Sequence, residues 1–339
     1  MSFPRITVLL PAYNAAPTLR RALDSIRVQT CVDWELVAVD DGSTDATGSI
    51  LSEIASMEPR LRVVTRSHAG LVAALNAGLD QARGEFIARM DADDQSHPER
   101  LEEQVRFLEQ HAGVGVVGCQ VTFGGDPREQ AGYAAHVEWL NGLLAPEQIE
   151  LARFIDAPFA HPSVMFRRAL VTRHGAYRDG DFPEDHELWL RWLEAGVRMA
   201  KIPRPLLTWH DSPGRLSRTD ARYAPTAFYR LKADYLARWL QAHVSSNRRI
   251  LVWGAGRLTR RRVEPLLATG VRVDCYLDID PRKLGQHRDG RRVIAPESLP
   301  PHEEAFVLGY VANRGARELQ RTFLQTRGWI EGRDFLFAA

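Results

Sequence analysis

Apolar and polar positions along the first 120 residues alternate in blocks that predict strands and helices in turn. Five blocks are short and apolar, as buried parallel strands are, and they lie at residues 5–11, 34–40, 61–65, 84–90 and 114–118. Four intervening blocks repeat apolar residues every three or four positions, as amphipathic helices do, at residues 17–29, 45–57, 70–82 and 98–110. This alternation predicts an α/β fold with a mostly parallel sheet that is covered by helices.

Polar clusters follow three of the predicted strands at the positions where those strands stop. They read PAYN at residues 11–14, DDGSTD at 40–45 and DADD at 91–94. Open α/β sheets bind ligands beyond the carboxyl ends of their strands, so the three clusters predict one site. The carboxylates of the third cluster repel one another unless a cation lies between them. A polar turn followed by a helix cap is the alternative interpretation of that cluster.

The rest of the chain divides into segments of different character. Residues 121–180 are rich in Gly and Pro and are expected to form loops, whereas 183–196 and 222–244 have helical periodicity. Further strands and helices are predicted at 249–256, 257–270, 271–281, 305–311, 316–328 and 335–338. We therefore expect a first domain over 1–218, a linking amphipathic helix within 219–247 and a small α/β domain over 248–339.

Composition and charge narrow the class of protein. The 339 residues are 45% hydrophobic and 26% charged, which is typical of a globular protein with room for two domains. Residues 248–339 hold 17 Lys and Arg against 11 Asp and Glu, although the whole chain carries only +1. That excess is too weak to indicate nucleic-acid binding. The three separated cysteines indicate neither a disulfide framework nor a zinc site.

No apolar run is long enough for a membrane-spanning helix, and the N-terminus is interpreted as a strand rather than a signal peptide. We therefore expect a cytoplasmic protein, with peripheral contact at the inner membrane face as a further option.

Several motifs, in order over residues 4–210, resemble those of the family 2 glycosyltransferases with the GT-A fold. They include LLPAYN, VAVDDGSTD, ARMDADD, FAHPSVMFRR and FPEDHELW. The resemblance implies inverting transfer of a sugar from a nucleotide sugar, with a divalent cation, Mn²⁺ or Mg²⁺. It implies a hexosyl- or N-acetylhexosaminyl-type transfer to a hydroxyl acceptor, either soluble or lipid-linked, in polysaccharide or other glycoconjugate synthesis.

The same resemblance assigns roles to the residues of the donor site. Asp93 corresponds to the metal contact, and Asp91 to a residue that faces the ribose or the metal's water shell. Asp94 is expected to neighbour the metal site or to cap a helix. Asp41 resembles the carboxylate that accepts the N3–H of a base, which favours a UDP- or dTDP-sugar. Donor contacts are also expected from the backbone and the tyrosine of PAYN, at Pro11, Ala12 and Tyr13.

The remaining motifs supply the catalytic base and candidate contacts for the acceptor or the diphosphate. Asp185 resembles the family's general base, which takes the proton of the acceptor hydroxyl. Glu184 is expected to support the base or bind the acceptor, and His161 is either a ligand contact or a structural histidine. The segment TWHDSPGRLSR departs from the family pattern, so His210, Arg215 and Arg218 all remain candidates for contact with the diphosphate.

The last 92 residues carry a weaker motif. The sequence VWGAGRLT contains Gly254 and Gly256, but Thr259 stands where a dinucleotide-binding fingerprint has its third glycine. Asp278 occupies the position of a ribose-binding acid. The region resembles a Rossmann-like domain, and a nucleotide site, an oligomerisation or docking module and a relic fold all remain open.

Two alternatives to an active glycosyltransferase follow from these observations. One is a nucleotide-sugar-binding module that has lost catalysis, which the intact DAD and ED motifs disfavour. The other is an NAD-linked sugar oxidoreductase that uses the C-terminal domain, which the lack of identifiable hydride-transfer residues disfavours.

Overall fold

The computed structural model describes residues 3–211 and 215–339, and the chain divides into two units, each built on its own sheet. The first unit contains the residues up to Glu150, Pro158–Gly180 and Glu184–Thr219. The second contains Leu151–Ala157, Asp181–Pro183 and Asp220–Ala339. The three-part division expected from the sequence stays a prediction, and the helix near residue 230 lies within the second unit.

The first unit contains a mixed sheet of eight described strands in the order β3-β2-β1-β4-β7-β6-β8-β5. These strands are β1 Ile6–Ala12, β2 Trp34–Asp40, β3 Leu61–Thr65, β4 Phe86–Arg89, β5 Gln95–Ser96, β6 Val114–Phe123, β7 Met165–Arg167 and β8 Arg198–Trp209. The pairs β1–β2, β1–β4, β2–β3 and β6–β8 are parallel, and β7 runs antiparallel to both β4 and β6. The carboxyl ends of β1, β2 and β4 therefore lie on one edge, which we call the donor edge.

Helices flank these strands along the chain. The described helices are α1 Ala16–Arg27, α2 Thr47–Met57, α3 Leu71–Gln81, α4 Arg100–Gln110, α5 Ala131–Gly142, α6 Pro146–Ala152, α7 Ala169–His174, α8 Glu184–Glu194, α9 Leu216–Thr219, α10 Pro225–His243, α11 Arg257–Ala268 and α12 Ala316–Gln325. None of the helices in the described ranges is long and apolar enough to cross a membrane.

The strong apolar periodicity of the first 110 residues produces the elements that it predicts. Helices α1 to α4 begin and end within two residues of the predicted blocks. Helix α1 starts with a proline in its first turn and buries Leu19, Leu23 and Ile26. Strands β1 and β2 are buried along their whole length, as central strands covered on both faces are.

The expectation of loops over residues 121–180 is wrong, because α5, α6, β7 and α7 all lie there. Helix α5 buries only Val137 and Leu140 fully, so its apolar pattern is faint. Strand β7 has three residues, which is too short for an alternating pattern to be recognised.

The second unit contains a sheet in the order β11-β12-β10-β9-β13-β14. Its strands are β9 Arg249–Trp253, β10 Cys275–Leu277, β11 His287–Arg288, β12 Arg291–Ile294, β13 Ala305–Gly309 and β14 Phe335–Phe337. All neighbours are parallel except β11 and β12, which a tight turn joins. That turn requires positive φ at both central residues, and Asp289 and Gly290 have φ of 49° and 76°.

Apart from β11, the strands of this second sheet follow the order third, second, first, fourth, fifth. This is the order of doubly wound nucleotide-binding sheets. The prediction of an α/β chain with a second, smaller domain is thus confirmed, whereas the Rossmann-like character of that domain stays a prediction.

Candidate active site at the donor edge

The ends of β1 and β2 are joined by a hydrogen bond that Asp41 N donates to Ala12 O over 2.9 Å. Pro11 and Ala12 are buried at the end of β1, whereas Tyr13 is 47% exposed. The Tyr13 ring stacks on His68, with ring centroids 4.0 Å apart. This exposed aromatic pair offers a flat apolar surface on which a planar base can stack.

Asp41 holds the loop at residues 66–70 against the end of β2. Its buried carboxylate accepts hydrogen bonds from Gly70 N at 2.8 Å and Ala69 N at 3.2 Å, and it lies 2.8 Å from His68 Nδ1. Gly42 is required for this close approach, because its φ is +74° and a Cβ there would lie 2.6 Å from His68 N. Contact between Asp41 and a base stays a prediction, since the loop already occupies much of the carboxylate.

Three carboxylates meet beyond the end of β4. One oxygen from each of Asp91, Asp93 and Asp94 lies within 4.8 Å of the others. Asp94 is fully buried; its Oδ1 accepts a 2.8 Å hydrogen bond from His210 N, and its Oδ2 has no hydrogen-bond partner in the described chain. The interpretation of Asp94 as a helix cap is therefore wrong, because helix α4 starts six residues later at Arg100.

Burial and mutual repulsion raise the free energy of this cluster when its carboxylates are ionised. Burial, together with the charge of Asp91, raises the pKa of Asp93. Burial and the charges of Asp91 and Asp93 raise the pKa of Asp94 well above its ordinary value. A cation bound among the oxygens would reverse both effects.

Two buried arginines lie beneath the cluster. Arg89, the last residue of β4, is 1% exposed and forms an ion pair with Asp91. Arg100 is fully buried and donates to Arg89 O at 3.2 Å and to Pro162 O. Burial lowers the pKa of Arg100 to about 10, so it remains charged at neutral pH. Arg89 fixes Asp91 from the protein side, while Asp91 itself remains partly exposed.

A third arginine approaches the cluster from the segment after β8. Arg215 donates hydrogen bonds to Tyr133 Oη at 3.0 Å and to His210 O at 2.9 Å, and its guanidinium lies 4.9 Å from the centroid of Trp209. Burial disfavours its charge, yet Tyr133 and the three aspartates together raise its pKa. Its positive charge therefore acts on the cluster.

The structure distinguishes Arg215 from Arg218 and His210, the other two candidates for contact with the diphosphate. Arg218 forms a two-pronged ion pair with Asp211. His210 uses its backbone N–H for Asp94, and burial followed by the charge of Arg21 lowers the pKa of its ring. Part of the segment, residues 212–214, lies outside the described chain.

The ED motif forms the N-terminus of α8. Glu184 is 2% exposed, whereas Asp185 is partly exposed. Asp185 Oδ1 accepts a 2.7 Å hydrogen bond from His186 N, and the N-terminus of a helix favours an ionised carboxylate. Of the two acids, Asp185 is thus the one that a ligand from solvent can reach.

Tyr177 and His161 connect the ED motif electrostatically to the acidic cluster. His161 Nε2 and Tyr177 Oη share a 2.8 Å hydrogen bond, and His161 Nδ1 lies 3.8 Å from Glu184 Oε1. Burial, then the charge of Arg89, lowers the pKa of His161 well below its usual range, so the ring is neutral. Burial raises the pKa of Tyr177, and Arg89, Glu184, Asp185 and Asp91 all act on the same hydroxyl.

Comparison with known proteins identifies the family of the chain. The family model described as glycosyl transferase family 2 matches residues 7–175. EpsE of Bacillus subtilis, named as a glycosyltransferase, is 32% identical over 229 residues, which cover 66% of this chain and 79% of EpsE. The chain belongs to the family 2 glycosyltransferases. The amylovoran biosynthesis glycosyltransferase AmsE of Erwinia amylovora is also 32% identical, over 59% of this chain and 74% of AmsE.

Solved structures show that this glycosyltransferase has the predicted GT-A fold. TarS 1–349 of S. aureus, in complex with UDP-GlcNAc, superposes with a TM-score of 0.58 at 21% identity, over 77% of this chain and 71% of TarS. The mannosyltransferase PcManGT of Pyrobaculum calidifontis, in complex with GDP-Man and Mn²⁺, gives a TM-score of 0.51 at 23% identity, over 80% and 70% of the two chains.

The structure of this glycosyltransferase also contains candidate site residues that the sequence analysis missed. Arg89 could have been recognised, because it is a charged residue inside the apolar block 84–90, and a buried charge needs a partner. Tyr177 and Tyr133 gave no local signal. Tyr177 is held from α3, since Asn76 accepts from its N–H at 3.1 Å and donates to its carbonyl at 2.9 Å.

Proposed function

We propose that this glycosyltransferase moves a sugar from a UDP- or dTDP-sugar to a hydroxyl acceptor with inversion, and that it requires Mn²⁺ or Mg²⁺. The acidic cluster is the observation that carries the proposal. Asp91, Asp93 and Asp94 place oxygens within 4.8 Å of one another at the edge where the sheets of this fold class bind ligands.

The residues of the cluster fit a divalent cation. Mn²⁺ and Mg²⁺ prefer oxygen ligands, and the cluster offers three carboxylates, one of which has a buried oxygen without a hydrogen bond in the described chain. Asp93 and Asp91 would hold the ion, with Asp94 supporting it from below. When bound, the ion would neutralise negative charge that develops on the leaving diphosphate. The Mn²⁺ in the PcManGT complex is consistent with this assignment.

Arg215 is proposed as the protein's own contact for the diphosphate. It has a positive charge that acts on the acidic cluster, and Tyr133 Oη and His210 O fix its orientation. A fixed guanidinium stabilises negative charge in the transition state without having to reorganise. Arg218 is already paired with Asp211, so we assign it a structural role.

Asp185 is proposed as the general base. Inverting transfer needs a carboxylate that removes the acceptor's proton on the face opposite the diphosphate. Asp185 meets this need because it is partly exposed and lies at a helix N-terminus that favours its ionised form. Glu184 and His161 are buried behind it, so both are proposed to position α8 and Tyr177 rather than to bind the acceptor.

The nucleotide is proposed to lie over the ends of β1 and β2. Tyr13 would contact the base, with the backbone of Pro11 and Ala12 beside it and Asp41 at its edge. TarS was solved with UDP-GlcNAc, which is consistent with a UDP-sugar and an N-acetylhexosaminyl group. PcManGT was solved with GDP-Man, so a GDP-sugar is the competing donor. The cytoplasmic location and the soluble or lipid-linked acceptor stay predictions.

A product assay tests the proposal. The protein is incubated with UDP-, dTDP- and GDP-sugars, each with Mn²⁺, with Mg²⁺ or with EDTA, and released sugar or glycoside is followed by NMR. We expect turnover of a UDP- or dTDP-sugar only with metal, and a first-formed product of inverted anomeric configuration. Turnover in EDTA would refute the metal requirement, and retention would refute Asp185 as base.

The same assay distinguishes an active enzyme from a binding module. If the protein binds the nucleotide sugar but releases no sugar from it under any of these conditions, the result favours the inactive module. An NAD-linked oxidoreductase predicts a change in absorbance with NAD⁺ and a free sugar, which we do not expect.

A further inference from the structure

Tyr229, on α10 in the second unit, has two cations close to its ring. Lys232 Nζ lies 4.3 Å from the ring centroid, and the Arg262 guanidinium carbon lies 5.4 Å from it. The ring also stacks on Tyr310, with centroids 6.3 Å apart. Two positive charges thus share one aromatic ring, although like charges repel at such distances.

These residues lie beside the carboxyl end of β13. Tyr310 directly follows that strand, and Thr259 on α11 donates a 3.5 Å hydrogen bond to Tyr310 O. Arg262 follows Thr259 by three positions and therefore lies on the same face of α11. Strands β9 and β13 are neighbours, the first and fourth of the doubly wound order, which is where such sheets bind ligands.

Lys232 is the buried member of this group. Lys232 is 4% exposed, and its ammonium donates to two backbone carbonyls, Ile155 O and Ala338 O, each at 3.0 Å. The pKa of Lys232 is lowered to about 7, mainly by burial; the charge of Asp156 opposes this shift, and the charges of Arg262 and Arg317 add to it. Burial also lowers the pKa of Arg317, in the first turn of α12.

Arg262 is the accessible member of the group. It is partly exposed, and its guanidinium forms no hydrogen bond or ion pair with any residue in the described ranges. Its neighbours on the same helix differ, since Arg260 is paired with Asp289. An anion that reached Arg262 would relieve the repulsion between Arg262 and Lys232.

A dinucleotide is a poor match for this edge. Asp278, at the position expected for a ribose contact, accepts hydrogen bonds from Ala255 N and Asp280 N and from Lys283 Nζ, each at 2.9 Å. The presence of glycine at position 254 is explained without a ligand, because a Cβ there would lie 2.9 Å from the Thr259 side chain.

We propose that Tyr229, Lys232 and Arg262 form a second anion site, which binds a phosphate or diphosphate group at the carboxyl edge of the second sheet. Guanidinium groups match phosphate oxygens in geometry and charge, and the two tyrosine rings form an apolar wall behind them. The phosphate belongs either to a small molecule or to a lipid headgroup. The site is independent of the donor edge and of the activity proposed for it.

Calorimetric titration of the full chain with inorganic pyrophosphate in EDTA tests this site. Arg262→Gln is compared with Arg261→Gln, which removes an equal charge from an exposed neighbour on the same helix. We expect the dissociation constant to rise about tenfold or more in Arg262→Gln and to change little in Arg261→Gln, because a charged hydrogen bond is lost only in the former. Arg215→Gln should remove any pyrophosphate binding at the donor edge and leave binding in the second unit unchanged. It therefore shows how much of the measured binding occurs at the donor edge.

A parallel arm uses sedimentation with phosphatidylglycerol vesicles, with phosphatidylcholine vesicles as the control. Pyrophosphate binding that depends on Arg262 identifies a small-molecule site, and vesicle binding that depends on Arg262 identifies a lipid phosphate. The proposal is overturned if neither probe binds, or if both arginine variants lose binding equally.

Thermal unfolding without ligand distinguishes this role from a structural one. If Arg262 binds a phosphate, Arg262→Gln keeps or raises the apparent unfolding temperature, because one of the two cations close to the Tyr229 ring is removed. A clear decrease would show that Arg262 is there to stabilise the fold, and it would overturn the proposal.

Discussion

The two sheets of this chain hold opposite charges at corresponding edges. At the donor edge of the first sheet, three aspartates lie within 4.8 Å of one another, and burial with mutual repulsion raises the pKa of two of them. Beside the carboxyl end of the second sheet, Lys232 and Arg262 both lie close to the Tyr229 ring, and the charges of Arg262 and Arg317 act to lower the pKa of Lys232. In both places the fold holds like charges together at a cost in stability, as functional sites often do.

The difference between the two edges lies in what surrounds the charges. The acidic cluster has an exposed aromatic at Tyr13, a fixed arginine at Arg215 and a carboxylate at Asp185 on a separate helix. The cationic group has two tyrosine rings and no residue that we can assign to proton transfer. We therefore propose catalysis at the donor edge and only binding at the carboxyl edge of the second sheet.

The largest expected effect is at Asp185. If the donor edge is catalytic, Asp185→Asn should lower kcat by about 10²–10⁴-fold, which is the usual contribution of a general base. The affinity for the donor should remain unchanged. Asp80→Asn, a change of an exposed carboxylate on α3, is the matched control. Steady-state kinetics and a UDP titration of both variants make the test, and equal activity in the two would remove Asp185 from the mechanism.

A smaller effect is expected at Arg215. Arg215→Gln should weaken nucleotide diphosphate binding by about 10–100-fold, since it removes a charge-assisted contact to phosphate. Arg204→Gln, at an exposed arginine paired with Glu99, should bind normally. Calorimetry measures both, and normal binding by Arg215→Gln would return His210 and Arg218 to consideration.

Asp94 tests whether the acidic cluster is strained. The pKa of Asp94 is raised in the folded state. Ionisation of Asp94 at neutral pH therefore lowers the stability of the fold, and this loss disappears at low pH, where the carboxyl is protonated in both states. Without metal, Asp94→Asn should therefore raise the unfolding temperature by a few degrees, about 1–2 kcal/mol, because the amide cannot ionise. The gain should shrink as the pH falls towards about 4, the ordinary pKa of an aspartate.

As a control for Asp94→Asn, the unfolding temperatures of the variant and of wild type are compared with and without metal and UDP. Wild type should gain stability from them, and Asp94→Asn should gain less. A variant that is less stable than wild type at pH 7 in EDTA would contradict the interpretation of Asp94 as a strained carboxylate.

The smallest effect is expected in the second unit. Hydrogen bonds from Asp280 N, Lys283 and Ala255 N lower the pKa of Asp278 against the opposing effect of burial. Its contribution to stability is thus present above about pH 4 and is lost as the pH falls. Asp278→Asn should cost about 1–2 kcal/mol at neutral pH. NAD should leave the unfolding temperatures of wild type and Asp278→Asn unchanged. If NAD instead raised the unfolding temperature of wild type but not that of Asp278→Asn, the ribose-binding role of Asp278 would be restored.

Much of the first sheet was predictable because its strands are short buried runs and its helices have strong apolar stripes. Leu19, Leu23 and Ile26 of α1 are buried as their spacing predicts. Helix α5 and strand β7 were not predictable, because the former buries few residues fully and the latter is too short.

The site was predictable only as far as its motifs are continuous in sequence. Asp91, Asp93 and Asp94 lie within four positions of the chain, and the structure brings their carboxylate oxygens together. Arg215 could not be distinguished from Arg218 and His210, because the choice depends on Tyr133, which is 82 residues away in the chain. The placement of Leu151–Ala157 in the second unit likewise depends on long-range contacts, such as that between Lys232 and Ile155.

The central claim is that the acidic cluster binds a nucleotide diphosphate through a divalent metal. The most direct test is a thermal-shift titration of wild type and Asp93→Asn with UDP, dTDP and GDP, each with Mn²⁺ and with EDTA. A ligand that binds the folded state raises its apparent stability by about 2.7 kcal/mol at a hundred times its dissociation constant. We predict that UDP or dTDP stabilises wild type only with Mn²⁺ and that Asp93→Asn loses this response. Equal stabilisation of the two proteins, or stabilisation of wild type in EDTA, would contradict the claim.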